Sequence, residues 1–421
     1  MSDKVTRPRG TQDFLPEKAE LLFFINESAT KFFQNYGYRP IVTPTFEKEE
    51  LFKRSIGAST DIVQKEMYEF EDKAGRKMAL RPEGTAPVVR AFIENNLQAL
   101  PKPVKLYYIG QMFRYERPQA GRYREFWQMG AEAIGSSDPA LDAEVIELCY
   151  GYLASLGIKD LVLKINSMGC RDCRGNYIEE LKKFLSRKVS EFCNTCSQRI
   201  DINPLRVFDC KQESCQEALN DSPKILDYVC DKDKAHFERV RTFLDAVEIN
   251  YTLDPHLVRG FDYYTKTTFE VLLPTLGAQN ALSGGGRYDY LISDYGGPQE
   301  PAIGFAFGTE RIMLALESQN ISVFTRPDLD TFVVWLEEEQ KTQAYKTTSY
   351  LRDKHLNVLM GLDGKSMKAQ LKMADKLQAR TALIIGEDEV KAKLLTLKDL
   401  ETGEQEKLSL EQTVDKLREK S

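Results

Sequence analysis

The sequence predicts an α+β domain followed by a smaller α/β domain, and three features of the chain indicate this. Residues 105–117 are rich in aromatic and aliphatic side chains, which predicts a strand. Pro118 and Gly121 follow and make a turn, so this strand is predicted to begin a β-hairpin. Seven of the eight cysteines fall within 164–235 among helical segments, which indicates an insertion. Beyond residue 325, short apolar strands alternate with helical segments over about 95 residues, a pattern typical of an α/β unit.

The other elements follow from periodicity and from residues that break it. Apolar residues recur at helical spacing over 17–36 and stop at Gly37, so this segment is predicted to be an amphipathic helix. Residues 38–47 are β-branched but interrupted by Pro40 and Pro44, which predicts a strand with constrained edges. The remaining predictions are a turn entering a helix at 78–100, Gly-rich strands over 250–308, a helix at 309–317, a linker at 325–328, and strands at 332–335, 357–360 and 381–385.

Composition excludes several classes of protein. Hydrophobic residues make up 42% of the 421 residues, which is enough to bury a core, so a disordered chain is excluded. The net charge of −6 excludes a strongly basic nucleic-acid packer but not a local basic patch. No apolar run approaches the roughly 18–20 residues of a membrane span, and the polar N-terminus does not resemble a secretory signal. We therefore expect a cytoplasmic protein without membrane contact, with reduced cysteines.

The predicted hairpin carries the densest set of polar side chains. Because strand side chains alternate, Arg114 and Glu116 share one face of its first strand. Phe126, Gln128 and Glu132 share one face of the second strand, if that strand extends far enough. An arginine fork suits a phosphate oxygen, and a carboxylate beside it accepts a hydrogen bond from a base amine. The alternative is a salt-bridged surface hairpin.

Four further segments are candidates for a binding site. In 83–85 (Glu-Gly-Thr), a carboxylate and a hydroxyl suit an ammonium group, or else cap a helix. In 257–264, an arginine and two tyrosines suit a polar pocket, or else pack in a sheet. The three glycines of 283–289 allow close approach of a ligand or a strand. Arg311 gains nothing from the dipole of the helix it begins, which favours a phosphate ligand over an ordinary exposed position.

The cysteines suggest a metal site. Cys170 and Cys173 form one Cys-x-x-Cys pair, and Cys193 and Cys196 form a second about 20 residues later, a spacing that suits a structural zinc with four thiolates. Of the four remaining cysteines, Cys210 and Cys215 are possible substitute ligands, whereas Cys149 and Cys230 are interpreted as buried packing residues.

A basic stripe is predicted near the C-terminus. Lys365, Lys368, Lys372 and Lys376 fall on one face of a helix, and Arg380 extends the row. Such a row suits the phosphate backbone of an RNA, although a solvated helix face is the ordinary alternative.

These segments together resemble the histidyl-tRNA synthetase family, within the class II aminoacyl-tRNA synthetases. The match extends nearly end to end, in the family's order. Residues 8–13 (Pro-Arg-Gly-Thr-Gln-Asp) resemble its opening signature; 38–47, 113–128 and 304–311 resemble motifs 1, 2 and 3; and 257–264 and 283–289 resemble its histidine-specific peptides.

The resemblance implies an architecture and a reaction. It implies a catalytic domain over 1–325 built on an antiparallel sheet, a helical insertion at about 168–235, and an anticodon-binding α/β domain over 326–421. It further implies a homodimer with motif 1 at the interface. L-Histidine and ATP, with Mg²⁺, would form histidyl-adenylate and pyrophosphate, and the histidyl group would pass to the 3′-terminal adenosine of tRNA-His.

The resemblance also assigns roles to residues. Arg114 and Arg259 are the catalytic pair that flanks the α-phosphate, with Arg259 where other class II enzymes rely on a metal ion. Glu116 and Arg311 contact the adenine, and Arg311 also the γ-phosphate region. The expected histidine-binding set also includes Arg114, which holds the substrate carboxylate, and Arg259. Its other members are Glu83, Gly84, Thr85 and Gln128 at the amino and carboxylate end, and Glu132, Tyr263 and Tyr264 at the imidazole. None of the three histidines lies in these motifs, so a histidine general base is not expected.

Three other readings compete with this one. A regulatory subunit of ATP phosphoribosyltransferase resembles the catalytic domain, but it loses catalytic motifs and lacks the anticodon domain. An RNA-binding scaffold would leave the catalytic motifs unexplained. Another class II synthetase, such as a prolyl or threonyl enzyme, is disfavoured by the peptide at 259–264 and the glycines at 283–289.

Overall fold

The computed structural model describes residues 4–56, 60, 62–323 and 329–419. The chain divides into two compact units, Met1–Phe324 and Thr325–Ser421, which are described separately. The linker predicted at 325–328 lies outside the described residues. Among the helices of the described ranges, none is both long and apolar enough to cross a membrane.

Within the described residues, the first unit contains eleven strands and ten α-helices. The strands are β1 Arg39–Pro40, β2 Phe46–Lys48, β3 Glu69–Glu71, β4 Lys77–Leu80, β5 Val104–Phe113, β6 Glu125–Ile134, β7 Val162–Ser167, β8 Thr252–Leu253, β9 Thr265–Leu272, β10 Ala281–Arg287 and β11 Ala302–Gly308. The helices are α1 Pro16–Asn35, α2 Glu49–Ile56, α3 Thr85–Glu94, α4 Pro139–Ser155, α5 Arg171–Arg187, α6 Asn194–Ile202, α7 Glu213–Leu219, α8 Asp231–Ala246, α9 Leu291–Asp294 and α10 Thr309–Ser318.

The unit is built on one large, mostly antiparallel sheet. Its eight strands follow the order β1-β5-β6-β11-β10-β9-β7-β8, and only the two outermost strands run parallel to their neighbours. A smaller antiparallel sheet has the order β2-β4-β3. The α+β prediction with an antiparallel sheet is confirmed.

The predicted hairpin is present, and its register determines which side chains share a face. The ten residues of β5 pair with the ten of β6, from Val104 opposite Ile134 to Phe113 opposite Glu125. β5 therefore ends four residues before the predicted limit, because the chain from 114 onward forms the turn. On β6, Met129 and Ala131 enter the core formed with α1, α4 and α10, so the even-numbered residues face the opposite side.

The predicted helix at 17–36 is confirmed within one residue as α1, and the strand predicted at 38–47 is largely wrong. Helix α1 ends at Asn35, and Gly37 follows with a left-handed φ of 78°. Within or at the end of the predicted range, two short segments pair with other strands: Arg39–Pro40 as β1 and Phe46–Lys48 as β2. The intervening chain includes Pro44, which has no backbone N–H to donate to a ladder.

The insertion forms a helical cluster with its own apolar core. Side chains of α5, α6 and α7, among them Tyr177, Leu181 and Leu185, pack with Phe192 and Val207 from the connecting segments. Helix α8 packs instead into the core of the large sheet. The insertion is thus continuous with the body of the unit through α8.

The second unit is an α/β domain with one mixed sheet. Its described strands are β12 Leu329–Trp335, β13 Val358–Met360, β14 Ala379–Ile385, β15 Leu395–Asp399 and β16 Gln405–Leu408, and its helices are α11 Glu338–Asp353, α12 Met367–Lys376, α13 Glu387–Ala392 and α14 Leu410–Glu419. The order is β13-β12-β14-β15-β16, with the first three parallel and the last two antiparallel. The three predicted strands are confirmed, whereas β15 and β16 were missed; the Gln-Glu-Lys-Leu sequence of β16 lacks an apolar pattern.

Candidate active site

A cavity of about 480 Å³ lies on the face of the large sheet opposite α1 and α4. It is lined by the ends of the β5–β6 hairpin, the segment 258–264, strands β9 to β11 and the start of α10. Most of the predicted ligand-binding residues line it: Glu83, Thr85, Arg114, Glu116, Gln128, Arg259, Tyr263, Tyr264 and Arg311. Gly84 and Glu132 lie behind this lining.

Glu132 is a fully buried carboxyl group. It accepts hydrogen bonds from Thr85 Oγ1 at 2.7 Å and from the Tyr288 hydroxyl at 2.5 Å. Burial raises its pKa to about 8, although these two hydrogen bonds oppose the shift. The side chain therefore holds a proton at neutral pH in the free protein.

Glu83 caps helix α3, so the helix-cap alternative for segment 83–85 is realised. Its carboxylate oxygens accept the backbone N–H groups of Thr85 at 2.7 Å and Ala86 at 2.8 Å. Burial raises the pKa of Glu83, while these hydrogen bonds oppose the shift. The same carboxylate also lines the cavity, so capping fixes an acceptor there.

An unsatisfied acceptor and a group of aromatic rings complete this end of the cavity. Among the described residues, no donor reaches the buried Oε1 of Gln128. The Tyr263 ring stacks on Phe261 with a centroid separation of 5.1 Å and lies 4.8 Å from the Tyr264 ring. A buried polar atom without a partner is costly, so this site suits a ligand with a hydrogen-bond donor.

The hairpin contributes Arg114 and Glu116 to the cavity. Arg114 Nε donates to the Pro82 carbonyl at 2.9 Å, and its Nη1 lies 3.8 Å from a Glu116 oxygen. The other Glu116 oxygen lies 3.2 Å from Arg122 Nη1. Side-chain exposure of only 20% for Arg114 and 15% for Glu116 argues against the alternative of an ordinary surface hairpin.

Arg259 and Arg311 approach the cavity from other segments. Arg259 Nη1 pairs with Glu270 at 2.6 Å, and no acceptor among the described residues reaches its buried Nε. Arg311, in the first turn of α10, donates to the carbonyls of Ala281 at 2.7 Å and Gly121 at 3.3 Å. With Arg114 and Arg122 from the hairpin, four guanidinium groups from three separate segments thus line one cavity.

Sequence reasoning missed several residues that shape this site. Tyr108 and Glu310 line the cavity, and Glu270 and Tyr288 bind its charged groups. Burial raises the pKa of Glu310 to about 7, although its carboxylate accepts the Trp127 N–H. Tyr108 could have been found by alternation along β5, whereas Glu270 depends on the pairing of strands distant in sequence. Tyr288 and Glu310 lie in segments 283–289 and 304–311, which the sequence singled out without a role for these two residues.

The four predicted zinc ligands are not brought together, and the single site is corrected to two clusters. Cys193 and Cys196 gather with Cys210 and Cys215, whereas Cys170 and Cys173 gather with Cys230 and Asp233. The reason is that α5, about 25 Å long, separates the two Cys-x-x-Cys pairs along the chain. Cys149 is buried as predicted, but Cys230 is exposed, so its predicted burial is wrong.

The basic stripe is shorter than predicted. Lys368, Lys372 and Lys376 are exposed on α12, while Gln370 and Ala374 form the buried side of that helix. Lys365 precedes the helix and pairs with Asp363 at 3.0 Å, and Arg380 belongs to β14, where it faces Asp330 at 3.9 Å.

Comparison with known proteins agrees with this geometry. An antiparallel sheet with an arginine-lined cavity and a separate α/β unit is the arrangement expected of a class II aminoacyl-tRNA synthetase. The family described as histidyl-tRNA synthetase matches residues 10–312, and the anticodon binding domain matches residues 330–420. The chain belongs to the histidyl-tRNA synthetase family.

Individual relatives extend the match to the whole chain. Histidine–tRNA ligase of Natranaerobius thermophilus is 46% identical over 98% of both chains, and that of Halothermothrix orenii is 47% identical over 98% of this chain and 99% of its own. The crystal structure of apo histidyl-tRNA synthetase from S. aureus has a TM-score of 0.84 and 37% identity, and the match covers 99% of this chain and 100% of that one. A Bacillus halodurans structure, titled ATP phosphoribosyltransferase regulatory subunit/histidyl-tRNA synthetase, shares the fold at 22% identity and a TM-score of 0.65, with 90% of this chain and 98% of its own covered.

Proposed function

We propose that the chain acts as a histidine–tRNA ligase, the activity named for its relatives. Its cavity joins L-histidine and ATP into histidyl-adenylate with release of pyrophosphate, and the histidyl group then passes to the 3′-terminal adenosine of tRNA-His. The observation that carries this proposal is the convergence of four arginines on a cavity backed by the fully buried carboxyl group of Glu132. We expect the activity in the cytoplasm, where charged tRNA is used.

In this proposal, the imidazole of the substrate is recognised by Glu132 and Tyr264. Thr85 and Tyr288 hold the Glu132 carboxyl in place, so its orientation is set before the substrate binds. Tyr263 packs beside the ring. A pocket that pairs both ring nitrogens discriminates strongly, because an analogue without them would leave the pocket's own polar groups unpaired.

The amino and carboxylate end of histidine is assigned to the next group of residues. The unpartnered Oε1 of Gln128 and the capping carboxylate of Glu83 both accept hydrogen bonds, so they suit the substrate ammonium. Gly84 lies between Glu83 and Thr85, behind the lining, where a side chain would overlap the Tyr108 ring. Arg114 then holds the substrate carboxylate toward the phosphate.

The chemical step needs stabilisation of charge more than a base from the protein. A substrate carboxylate oxygen attacks the α-phosphorus, and the bond from that phosphorus to the bridging oxygen breaks as pyrophosphate leaves. The carboxylate is already deprotonated, so no proton has to be removed. Arg114 and Arg259 lie on two sides of the α-phosphate and stabilise the charge that develops on its oxygens.

The nucleotide occupies the side of the cavity near the hairpin turn. Glu116 accepts from the adenine amine, and Arg311 packs on the adenine and reaches the γ-phosphate region. The nucleotide enters with Mg²⁺, which supplies positive charge to its phosphates. Arg114, Arg259 and Arg311 line the cavity and would add further positive charge beside the phosphates.

We assign tRNA contact to the exposed face of α12 and dimer contact to motif 1. Lys368, Lys372 and Lys376 present three cations on one helix face, which suits RNA phosphates.

The dimer contact rests on exposed apolar side chains of motif 1. Val42 is 92% exposed and Phe46 is 53% exposed, an unusual display of apolar surface that a second copy of the chain would cover. Light scattering on the purified chain tests the dimer, and a monomeric mass would contradict it.

The deciding experiment is amino-acid-dependent pyrophosphate–ATP exchange with all twenty amino acids and no tRNA. We expect exchange with histidine alone, followed by charging of tRNA-His. The variant Arg259→Ala should keep its fold by circular dichroism and lose exchange, whereas Arg187→Ala, at an exposed position of α5, should behave as the parent. Exchange by Arg259→Ala at near-parent rates would refute the role of Arg259, and no exchange by the parent chain would favour the regulatory alternative.

A further inference from the structure

The insertion contains a compact cluster of four cysteines that the proposed reaction does not use. Cys193, Cys196, Cys210 and Cys215 place their sulfur atoms within 4.8 Å of one another. Cys196 and Cys215 are fully buried, and the other two are partly buried. From this cluster we infer that the insertion binds one structural Zn²⁺ through these four thiolates.

The spacing of the sulfur atoms fits a tetrahedral ion. A zinc–sulfur distance of about 2.3 Å in tetrahedral geometry requires sulfur atoms about 3.8 Å apart. The limit of 4.8 Å in the structure leaves at most about 1 Å of contraction. Two disulfides would instead need pairs of sulfur atoms at about 2.05 Å, and all eight cysteines are free.

The start of helix α6 and a backbone N–H group lie at the cluster. Cys193 is the N-cap residue of α6, a helix of nine residues, and Cys196 lies in its first turn. The positive end of the helix dipole therefore faces both sulfur atoms. The backbone N–H of Cys193 also donates to Cys215 Sγ at 3.2 Å, which joins the second half of the cluster to the start of α6.

The ion would fix a segment that contacts the catalytic peptide. Between the second and third ligands, Arg206 donates to the Gly260 carbonyl, and Asn203 donates to Asp262 at 3.1 Å. Asp209, next to the ligand Cys210, lines the cavity itself. Zinc would thus tie α6 to α7 across the segment that supports the loop of Arg259.

The neighbouring cluster of Cys170, Cys173, Cys230 and Asp233 provides the matched control. It has three thiols, one of them on the exposed Cys230, and its Asp233 carboxylate already accepts the Cys170 N–H at 2.7 Å. It therefore offers a weaker and chemically different ligand set, with oxygen in the place of one sulfur.

The test is the metal content of the full-length chain, grown with added zinc and purified without chelator, with X-ray absorption at the zinc edge. We expect a shell of four sulfur atoms in the parent chain. Relative to the parent, Cys210→Ser should lose about one zinc per chain, while Cys230→Ser keeps that ion. Cys210 is only partly buried at the edge of the apolar core, so its substitution disturbs that core less than substitution of the fully buried Cys196 or Cys215 would.

Cobalt substitution tests the same site in the parent chain, so it does not depend on the variant folding. One equivalent of Co²⁺ should give the visible and charge-transfer bands of a tetrahedral four-thiolate site. Absence of zinc, iron in its place, zinc lost from Cys230→Ser but kept by Cys210→Ser, or disulfides in the freshly isolated chain would each overturn the proposal.

Discussion

The buried Glu132 makes a prediction about stability that does not depend on assigning a substrate. In Glu132→Gln the side chain keeps its shape and remains able to accept and donate hydrogen bonds, but it can no longer ionise. In the parent, the folded-state pKa of about 8 exceeds the ordinary value of 4.5, chiefly because the group is buried. The folded protein therefore binds the proton more tightly than the unfolded chain does.

The sign and size of the effect follow from this difference. The stabilising contribution is fully present below pH 4.5 and is lost as the pH rises through about 8. At 1.36 kcal/mol per pKa unit, the shift corresponds to an upper limit of about 5 kcal/mol. We expect the unfolding free energy of Glu132→Gln minus that of the parent to rise by about 3–5 kcal/mol from pH 5 to pH 9.

The assay is denaturant unfolding of the first unit across this pH range, followed by circular dichroism. Glu179→Gln, at an exposed position of α5, is the control and should follow the parent at every pH. Parallel pH profiles for Glu132→Gln and the parent would refute the reasoning, because they would mean that Glu132 is ionised in the folded state at neutral pH.

The same substitution also tests histidine recognition. The substituted amide offers the imidazole a different arrangement of donor and acceptor from the carboxyl group. A mismatched buried hydrogen bond costs about 1–3 kcal/mol, so histidine-dependent exchange should fall by roughly 10–100-fold. The loss should appear in kcat/KM for histidine, with KM for ATP near the parent value. An equal rise in both KM values would contradict a local role for Glu132.

Three further substitutions test other parts of the site. Gly304→Ala places a methyl group on the buried carboxylate behind the histidine pocket, so histidine-dependent exchange should fall at least tenfold, while Gly175→Ala, in open space on α5, should not change it. Arg311→Ala should raise KM for ATP by about tenfold and leave KM for histidine unchanged, as measured by exchange kinetics. Exchanging Lys368 and Lys372 for Glu should weaken tRNA binding and its salt dependence in filter binding, without altering exchange.

The sequence was most informative where the site depends on the alternation of side chains between the two faces of a strand. The face shared by Gln128 and Glu132 followed from strand periodicity once the hairpin was assigned, and the register of β6 bears this out. It was least informative where partners are distant. No local pattern indicates that Glu270 would reach Arg259, or that the two Cys-x-x-Cys pairs would be drawn into different clusters by α5.

The glycines of the sheet explain how large charged side chains fit within it. Gly304 is the direct cross-strand partner of Glu132 on β11, and any side chain at 304 would occupy the space of that carboxylate. Gly284 is the partner of Glu270 on β9, and the guanidinium of Arg259 lies over the missing side chain and reaches that glutamate. Each pairing places an unusually bulky polar group opposite the smallest residue. The antiparallel register, more than any single motif, therefore determines where the site can form.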